Sequence, residues 1–302
     1  MLVLTYGHAG RHRELLARLA ADGIAADQVT LVHNPLAPDD DVLPWAPAGT
    51  EVVRMAANVG YAPAMNAVLR RDLGTADTWL LLTHDVRPEP GAVRALLAAP
   101  VAGPSVLGPA LVREDGSPYS FGGTTLPSGL GDHRLTARDP RPTTWVDGCA
   151  LRIDAEVLRR AGLFEERFFL YFEETELCLR AARAGCTVGV VEDARFVTSP
   201  GRGSRPMVYA FLMTRNGLEY ARRWGGRQAL RAAARAQAGF LQTAVRTMLS
   251  RRAIGGARRR EAGLYALGLA GGWAAFARGR WGPPPPWTLR GSDVRLARRR
   301  AG

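Results

Sequence analysis

The stretch from Thr144 to Gly185 reads TWVDGCALRIDAEVLRRAGLFEERFFLYFEETELCLRAARAG. It joins a Gly turn, the aromatic run Phe168-Phe169-Leu170-Tyr171-Phe172 and the carboxylates Glu173, Glu174 and Glu176, with no loop between run and acids. Acids directly after an apolar run are first-turn helix charges, favoured by the free N–H groups and the macrodipole there. They are equally reactive groups held beside a dry wall, and both descriptions can hold at once. A helix from about Glu173 to Ala184 puts Glu173, Glu176 and Arg180 on one face. Glu174, Leu177 and Ala181 fall on the neighbouring face.

Outward from this stretch, residues 1–100 alternate strand and helix patterns. Apolar runs at 1–5, 28–33, 51–55 and 78–83 predict strands; 11–21, 62–73 and 90–98 carry helical spacing. Such alternation predicts a parallel, doubly wound sheet, which holds ligands at the carboxyl ends of its strands. After the first strand come Tyr6, Gly7 and His8. After the third comes Asn58-Val59-Gly60-Tyr61-Ala62-Pro63-Ala64-Met65-Asn66, a turn leading into a helix whose free N–H groups suit an anion. The same residues also read as a plain turn with an Asn cap. After the fourth comes Thr83-His84-Asp85, where a carboxylate suits Mg²⁺ or Mn²⁺ that borrow substrate phosphate oxygens. Asp85 could instead cap the next helix, and His84 is a loop residue or a ligand. Beyond, 106–112 predicts a strand, Asp115-Gly116 a turn, 119–123 a returning edge and 187–192 and 195–198 two further strands. The Gly/Pro/Arg-rich segment 126–142 predicts a mobile loop with substrate contacts, and 199–206 a flexible one.

Charge divides the chain. Residues 1–221 hold 22 Arg and 26 acids, while 222–302 hold 18 Arg and 2 acids (Glu261, Asp293). The formal charge of +12 is therefore a property of the tail. Three cysteines without metal-type spacing predict buried thiols in a reducing compartment. With no signal-like start and no spanning run, the expected location is cytoplasmic.

Taken in order, LTY, NVGYAPAMN, LLLTHDVRPEPGAV, VDGCALRI and AGLFEERFFLYFEETELCLRAARAG resemble the family-2 glycosyltransferases with the GT-A fold, nearest their rhamnosyltransferase-like branch, over about residues 2–220. The resemblance implies an α/β, doubly wound mixed sheet flanked by helices, with a catalytic domain over 1–206 and a basic helical extension over 207–302. It implies inverting transfer from a nucleotide-diphosphate sugar to the hydroxyl of a carbohydrate or lipid-linked acceptor, in cell-envelope or polysaccharide synthesis. By the same resemblance, Thr5 and Tyr6 match the base-binding strand end, and Asn58, Gly60, Ala64 and Asn66 lie against the diphosphate. Asp85, with His84 beside it, takes the divalent cation; Gly148 precedes the acceptor wall; Glu173 and Glu174 form the catalytic pair, with Glu174 as base. The chain departs from the family at Thr83, where an acid is usual, at His33-Asn34 for Asp-Asn, at Glu174 and Glu176 for Asp, and at Thr198 for a His. Those departures leave a second reading, a catalytically degenerate sugar-nucleotide binder or membrane-associated scaffold.

In the tail, 208–224 and 228–249 read as helices, the second basic and amphipathic, and Arg215-Asn216 resembles the family's Arg-Asn segment. Such a tail is a helical cap with a solvated Arg face or a docking face for an anionic membrane. Nucleic acid is disfavoured, because no helix-turn-helix or zinc pattern accompanies the arginines.

Overall fold

The computed structural model describes residues 1–6, 9–35, 46–198, 206–250 and 255–289. Gly7, His8, the expected loop up to 205 and the Arg-rich end beyond 289 lie outside them. Strands β1 (Leu2–Thr5), β2 (Thr30–His33), β3 (Glu51–Arg54) and β4 (Thr78–Thr83) are short apolar runs in parallel array. Helices α1 (Ala9–Ala21), α2 (Tyr61–Asp72) and α3 (Ala92–Ala98) connect them or follow them. The remaining strands are β5 (Val86–Pro88), β6 (Ser105–Val112), β7 (Pro118–Ser120), β8 (Gly123–Thr125), β9 (Gly131–His133), β10 (Ala150–Asp154) and β11 (Thr187–Thr198).

The main sheet runs β3-β2-β1-β4-β10-β6-β11-β5, with β7 paired to β6. Parallel winding, predicted for the first hundred residues, stops at β4, because β10 enters antiparallel between β4 and β6. The sheet is therefore mixed. The two strands expected over 187–198 are one strand with a register shift between Val191 and Arg195.

One face of the sheet buries α2, α4 (Ala155–Ala161) and α5 (Glu173–Arg183) through Met65, Val68, Leu69, Val157, Leu158 and Leu177. The other buries α1 and α3 through Leu15, Leu19, Val93 and Leu96. The 126–142 segment is more ordered than its composition predicts. It contains β9, which pairs antiparallel with β8 just ahead of it, and Arg134 donates to Phe121 O at 3.1 Å and Asp139 O at 2.9 Å.

Three helices complete the described chain: α6 (Pro206–Trp224), α7 (Gly226–Leu249) and α8 (Gly256–Ala277). Helix α6 packs on the aromatic run, with Phe211 and Leu212 against Phe169 and Tyr220 against Phe168 and Phe172. Helix α8 approaches α6 backbone to backbone. A Cβ at Gly268 would sit 2.3 Å from Met207 O, and one at Gly272 2.5 Å from Phe211 O. Glycines of α8 thus allow the close helix–helix contact, and among the described residues no helix is long and apolar enough to cross a membrane.

Candidate active site

Register brings the parallel strand ends to one edge. Thr5 pairs with His33, and Leu4 with Thr83, so Tyr6, Asn34 and His84-Asp85 emerge side by side. Because β10 is antiparallel, its leading end, Asp147-Gly148-Cys149, arrives at that same edge, and Thr83 N donates to Cys149 O at 2.9 Å. Thr83 Oγ1 also donates to Asp85 Oδ1. Across Gly148 lies the start of α5. A Cβ at Gly148 would stand 3.4 Å from Glu174 Cβ and 3.7 Å from its carboxyl carbon, so the segment and that side chain lie within van der Waals reach. Asp85 and Glu174 therefore flank a single short segment, 147–149.

Electrostatics agree with this packing. Burial pushes the Cys149 thiol well up, and the charges of Asp147, Asp85 and Glu174 push it further. Three carboxylates thus act on one thiol, and Cys149 is half-buried where the sequence predicts a buried residue, whereas Cys178 and Cys186 are buried. Glu174 itself is only partly covered, yet desolvation raises its carboxyl to about 7, against the pull of backbone N–H groups in the first turn and with the added push of Asp147. Glu173 is 3% exposed, and burial together with the charge of Glu174 holds its carboxyl well above the ordinary range. Its Oε2 has no hydrogen-bond partner. Burying an ionised, half-bonded carboxylate is costly, so Glu173 is a wall residue whose carboxyl holds its proton more tightly than a free one. Glu174 is the more exposed of the pair.

The remaining predicted residues divide into two groups. At the open edge, Tyr6 meets His84 edge-on with ring centroids 4.7 Å apart, and His84 meets His12 at 4.6 Å. Thr5 is buried, with Oγ1 hydrogen-bonded to His33 Nδ1 at 3.1 Å. Asn58 Oδ1 accepts from Gly60 N at 3.1 Å, closing the expected turn.

Asn66 and Ala64 are fully buried. Asn66 Nδ2 donates to Phe164 O and Glu166 Oε1, both at 2.9 Å, and its Oδ1 accepts from Phe164 N at 3.1 Å. With its amide fully used inside, Asn66 ties α2 to the chain ahead of the aromatic run and offers no side-chain atom to the cleft. Among the described residues no three His, Cys, Asp or Glu gather as metal ligands.

Asp147, and the part played by Asn34, escape the sequence reading. Asp147 stands between Asp85 and Glu174, where Ser120 Oγ donates to its Oδ2 at 2.5 Å and His133 Nδ1 lies 3.8 Å from its Oδ1. Its only sequence signal is an acid directly before Gly148. Asn34 donates to Gly60 O at 2.9 Å and accepts from Val59 N at 3.0 Å, fixing the turn after β3. A separate groove of about 480 Å³, lined by Arg70, Glu166, Glu176, Arg180 and Arg223, contains neither Asp85 nor Glu174. Its charges pair among themselves, as Arg180 with Glu176 at 2.7 Å.

No family model matches the chain. Over 160 residues it is 30% identical to the N-acetylglucosaminyl-diphospho-decaprenol L-rhamnosyltransferase of Mycobacterium tuberculosis, covering 43% of this chain and 52% of that protein. Over 146 residues it is 26% identical to the low-salt glycan biosynthesis hexosyltransferase Agl10 of Haloferax volcanii, covering 44% and 46%. The chain thus spans about half the length of the curated relatives it matches. Among solved structures, the mannosyltransferase PcManGT of Pyrobaculum calidifontis, in complex with GDP-Man and Mn²⁺, superposes with a TM-score of 0.51 at 16% identity, over 92% of this chain and 86% of that one. GalNAc-T7 with UDP, GalNAc and Mn²⁺ gives 0.54 at 13% identity, over 92% and 56%. At these identities the likeness concerns the fold, and the fold is that of the GT-A glycosyltransferases.

Proposed function

We propose, for a GT-A chain whose sequence relatives are a rhamnosyltransferase and a hexosyltransferase, that it moves a sugar from a nucleotide-diphosphate donor to an acceptor hydroxyl with inversion. L-Rhamnose is the first candidate sugar, a carbohydrate or a polyprenyl-diphosphate-linked glycan the candidate acceptor, and cell-envelope or polysaccharide synthesis the setting. The observation that carries this reading is the placement of Glu174 against Gly148, in the same short segment whose Cys149 pairs with the strand end that leads to Asp85.

In this reading the donor diphosphate lies along the open edge, against Tyr6, the Asn58–Gly60 turn and Asp85. The acceptor enters beside the aromatic run. Its hydroxyl oxygen bonds to the anomeric carbon as Glu174 takes the hydroxyl proton, and the sugar–oxygen bond breaks with its electron pair leaving on the diphosphate. Asp85 suits a Mg²⁺ or Mn²⁺ ion bound by one protein carboxylate, with waters and donor phosphate oxygens completing the shell. Such an ion would offset charge building on the departing diphosphate.

Incubation with nucleotide-linked L-rhamnose, GDP-mannose and UDP-GalNAc, each with Mg²⁺ and with Mn²⁺, tests the reading. Slow donor hydrolysis or transfer is expected with at least one, and none with any overturns it. Asp85→Ala is expected to weaken donor binding and abolish its response to Mn²⁺, read by calorimetry. A Mn²⁺ titration unchanged from wild type removes Asp85 as a ligand.

For the tail we propose docking on the anionic inner face of the plasma membrane. Arg231, Arg235 and Arg246 share a stripe of α7 with Leu249, which is 68% exposed. Charge attraction plus shallow apolar insertion is the usual form of such binding. The full chain should co-sediment with phosphatidylserine vesicles and detach as salt rises from 0.05 to about 0.5 M. Equal binding to neutral vesicles removes the arginines from the account.

A further inference from the structure

The carboxylate that the proposed transfer depends on is preceded by an unusual backbone. Tyr171 (φ 69°) and Phe172 (φ 76°) are the only non-glycine residues in the left-handed region among the described residues. Bulky side chains rarely adopt that conformation. Phe172 is also the N-cap of α5, with no side-chain cap. The direction in which α5 starts, and with it the place of Glu174, is therefore set by two dihedral pairs that the chain would not choose unaided.

What holds them comes from α6. Asn216 is fully buried, and its Nδ2 donates to two successive carbonyls, Leu170 O at 2.9 Å and Tyr171 O at 2.8 Å. Its Oδ1 accepts from Arg215 Nε at 2.9 Å, which fixes which end of the amide faces the carbonyls. Arg215 is 1% exposed, donates from Nη1 to Gly282 O at 2.8 Å, and has its guanidinium over the rings of Phe211 and Trp281 at 5.5 and 5.9 Å. Phe172 itself lies against Tyr220 of the same helix, ring centroids 5.6 Å apart. Asn216 has both its amide hydrogens and its oxygen bonded, as a buried amide requires, while Arg215 Nη2 has no hydrogen-bond partner. Here the bonds converge on the two carbonyls that lead into the left-handed pair.

We propose that Asn216, oriented by Arg215, is the positioning residue for Glu174: it fixes the left-handed turn at Tyr171–Phe172 and so aims the base at the acceptor hydroxyl. The inference rests on the reading of Glu174 as base. It makes α6, and through Gly282 the segment after α8, part of the catalytic apparatus.

The test uses the full chain with the donor panel above. Asn216→Ala, and the near-isosteric Asn216→Asp, are expected to lower kcat by about 10- to 100-fold, the loss that a misplacement on the order of 1 Å produces. Donor KM should be unchanged, and the pH midpoint of kcat should move away from the wild-type value. Tyr171→Gly, which adopts positive φ freely, should restore part of kcat in the Asn216→Ala background.

A fall in thermal midpoint with kcat and the pH midpoint unmoved overturns the proposal and leaves Asn216 a structural residue. Full activity in Glu174→Gln instead overturns the base itself, a separate failure. If no donor turns over, ¹³C-glutamate labelling follows the Glu174 carboxyl directly, with Glu174→Gln assigning the resonance. An identical titration in wild type and Asn216→Ala again overturns the proposal.

Discussion

Glu174→Gln is expected to lower sugar transfer by about 10²- to 10⁴-fold, the usual contribution of a positioned general base, while donor binding stays at the wild-type level. Glutamine keeps the volume and the contact with Gly148 but cannot accept a proton. Wild-type kcat should rise with pH through about 7, because the working form of Glu174 is the carboxylate and burial raises its proton affinity to that value.

Stability should move the opposite way. A carboxyl whose folded pKa lies above its ordinary value of 4.5 holds more protons folded than unfolded between about 4.5 and 7. Unfolding then becomes easier as pH rises through that window. Glu173, raised by the same burial, adds to the same trend. In Glu174→Gln part of that decline should vanish, a readout that needs no substrate. If Glu173→Gln proves the more damaging substitution, the base is Glu173. If Glu174→Gln transfers at the wild-type rate, the reading of this cleft as an inverting transfer site fails.

Much of this cleft is legible in the chain because its parts are local. Apolar runs give β1 through β4, the residues just after them give Tyr6 and Asp85, and the acids after an aromatic run give the start of α5. What escapes is set by direction and by distant partners. Periodicity carries no strand direction, so the arrival of β10 from the opposite side, which brings Asp147 to the parallel strand ends, is invisible in the sequence. Asn66 looks like a ligand contact because it is polar and early in a helix, yet its amide is used by Phe164 and Glu166, about a hundred residues away. The same limit hides the partners of Asn216, the carbonyls of Leu170 and Tyr171. Arg134 and its partners likewise order a loop whose composition predicts mobility.

Gly60→Ala is expected to destabilise the fold by about 2–4 kcal/mol and to remove transfer with it. Gly60 has φ 92°, and a Cβ built on it would lie 2.2 Å from Phe169 O and 2.7 Å from Phe169 Cδ2. The penalty is therefore double. Positive φ is strained for alanine, and the obstacle is a backbone carbonyl rather than the end of a flexible side chain. That carbonyl cannot retreat cheaply, because it accepts from Tyr61 N at 2.8 Å and belongs to the run that Asn216 clasps one residue later. Gly60 is thus where the donor-side turn after β3 touches the wall that leads to Glu174, and the distance between the two halves of the cleft is set by the absence of a side chain. Urea unfolding should show a lower midpoint with an unchanged slope, since the surface exposed on unfolding is the same. Hydrogen exchange should quicken at 168–174 together with 58–62, and not in α3 on the opposite face of the sheet. Wild-type stability in Gly60→Ala would mean that the turn and the aromatic run are not in contact in solution, and the coupling between donor turn and acceptor wall would go with it.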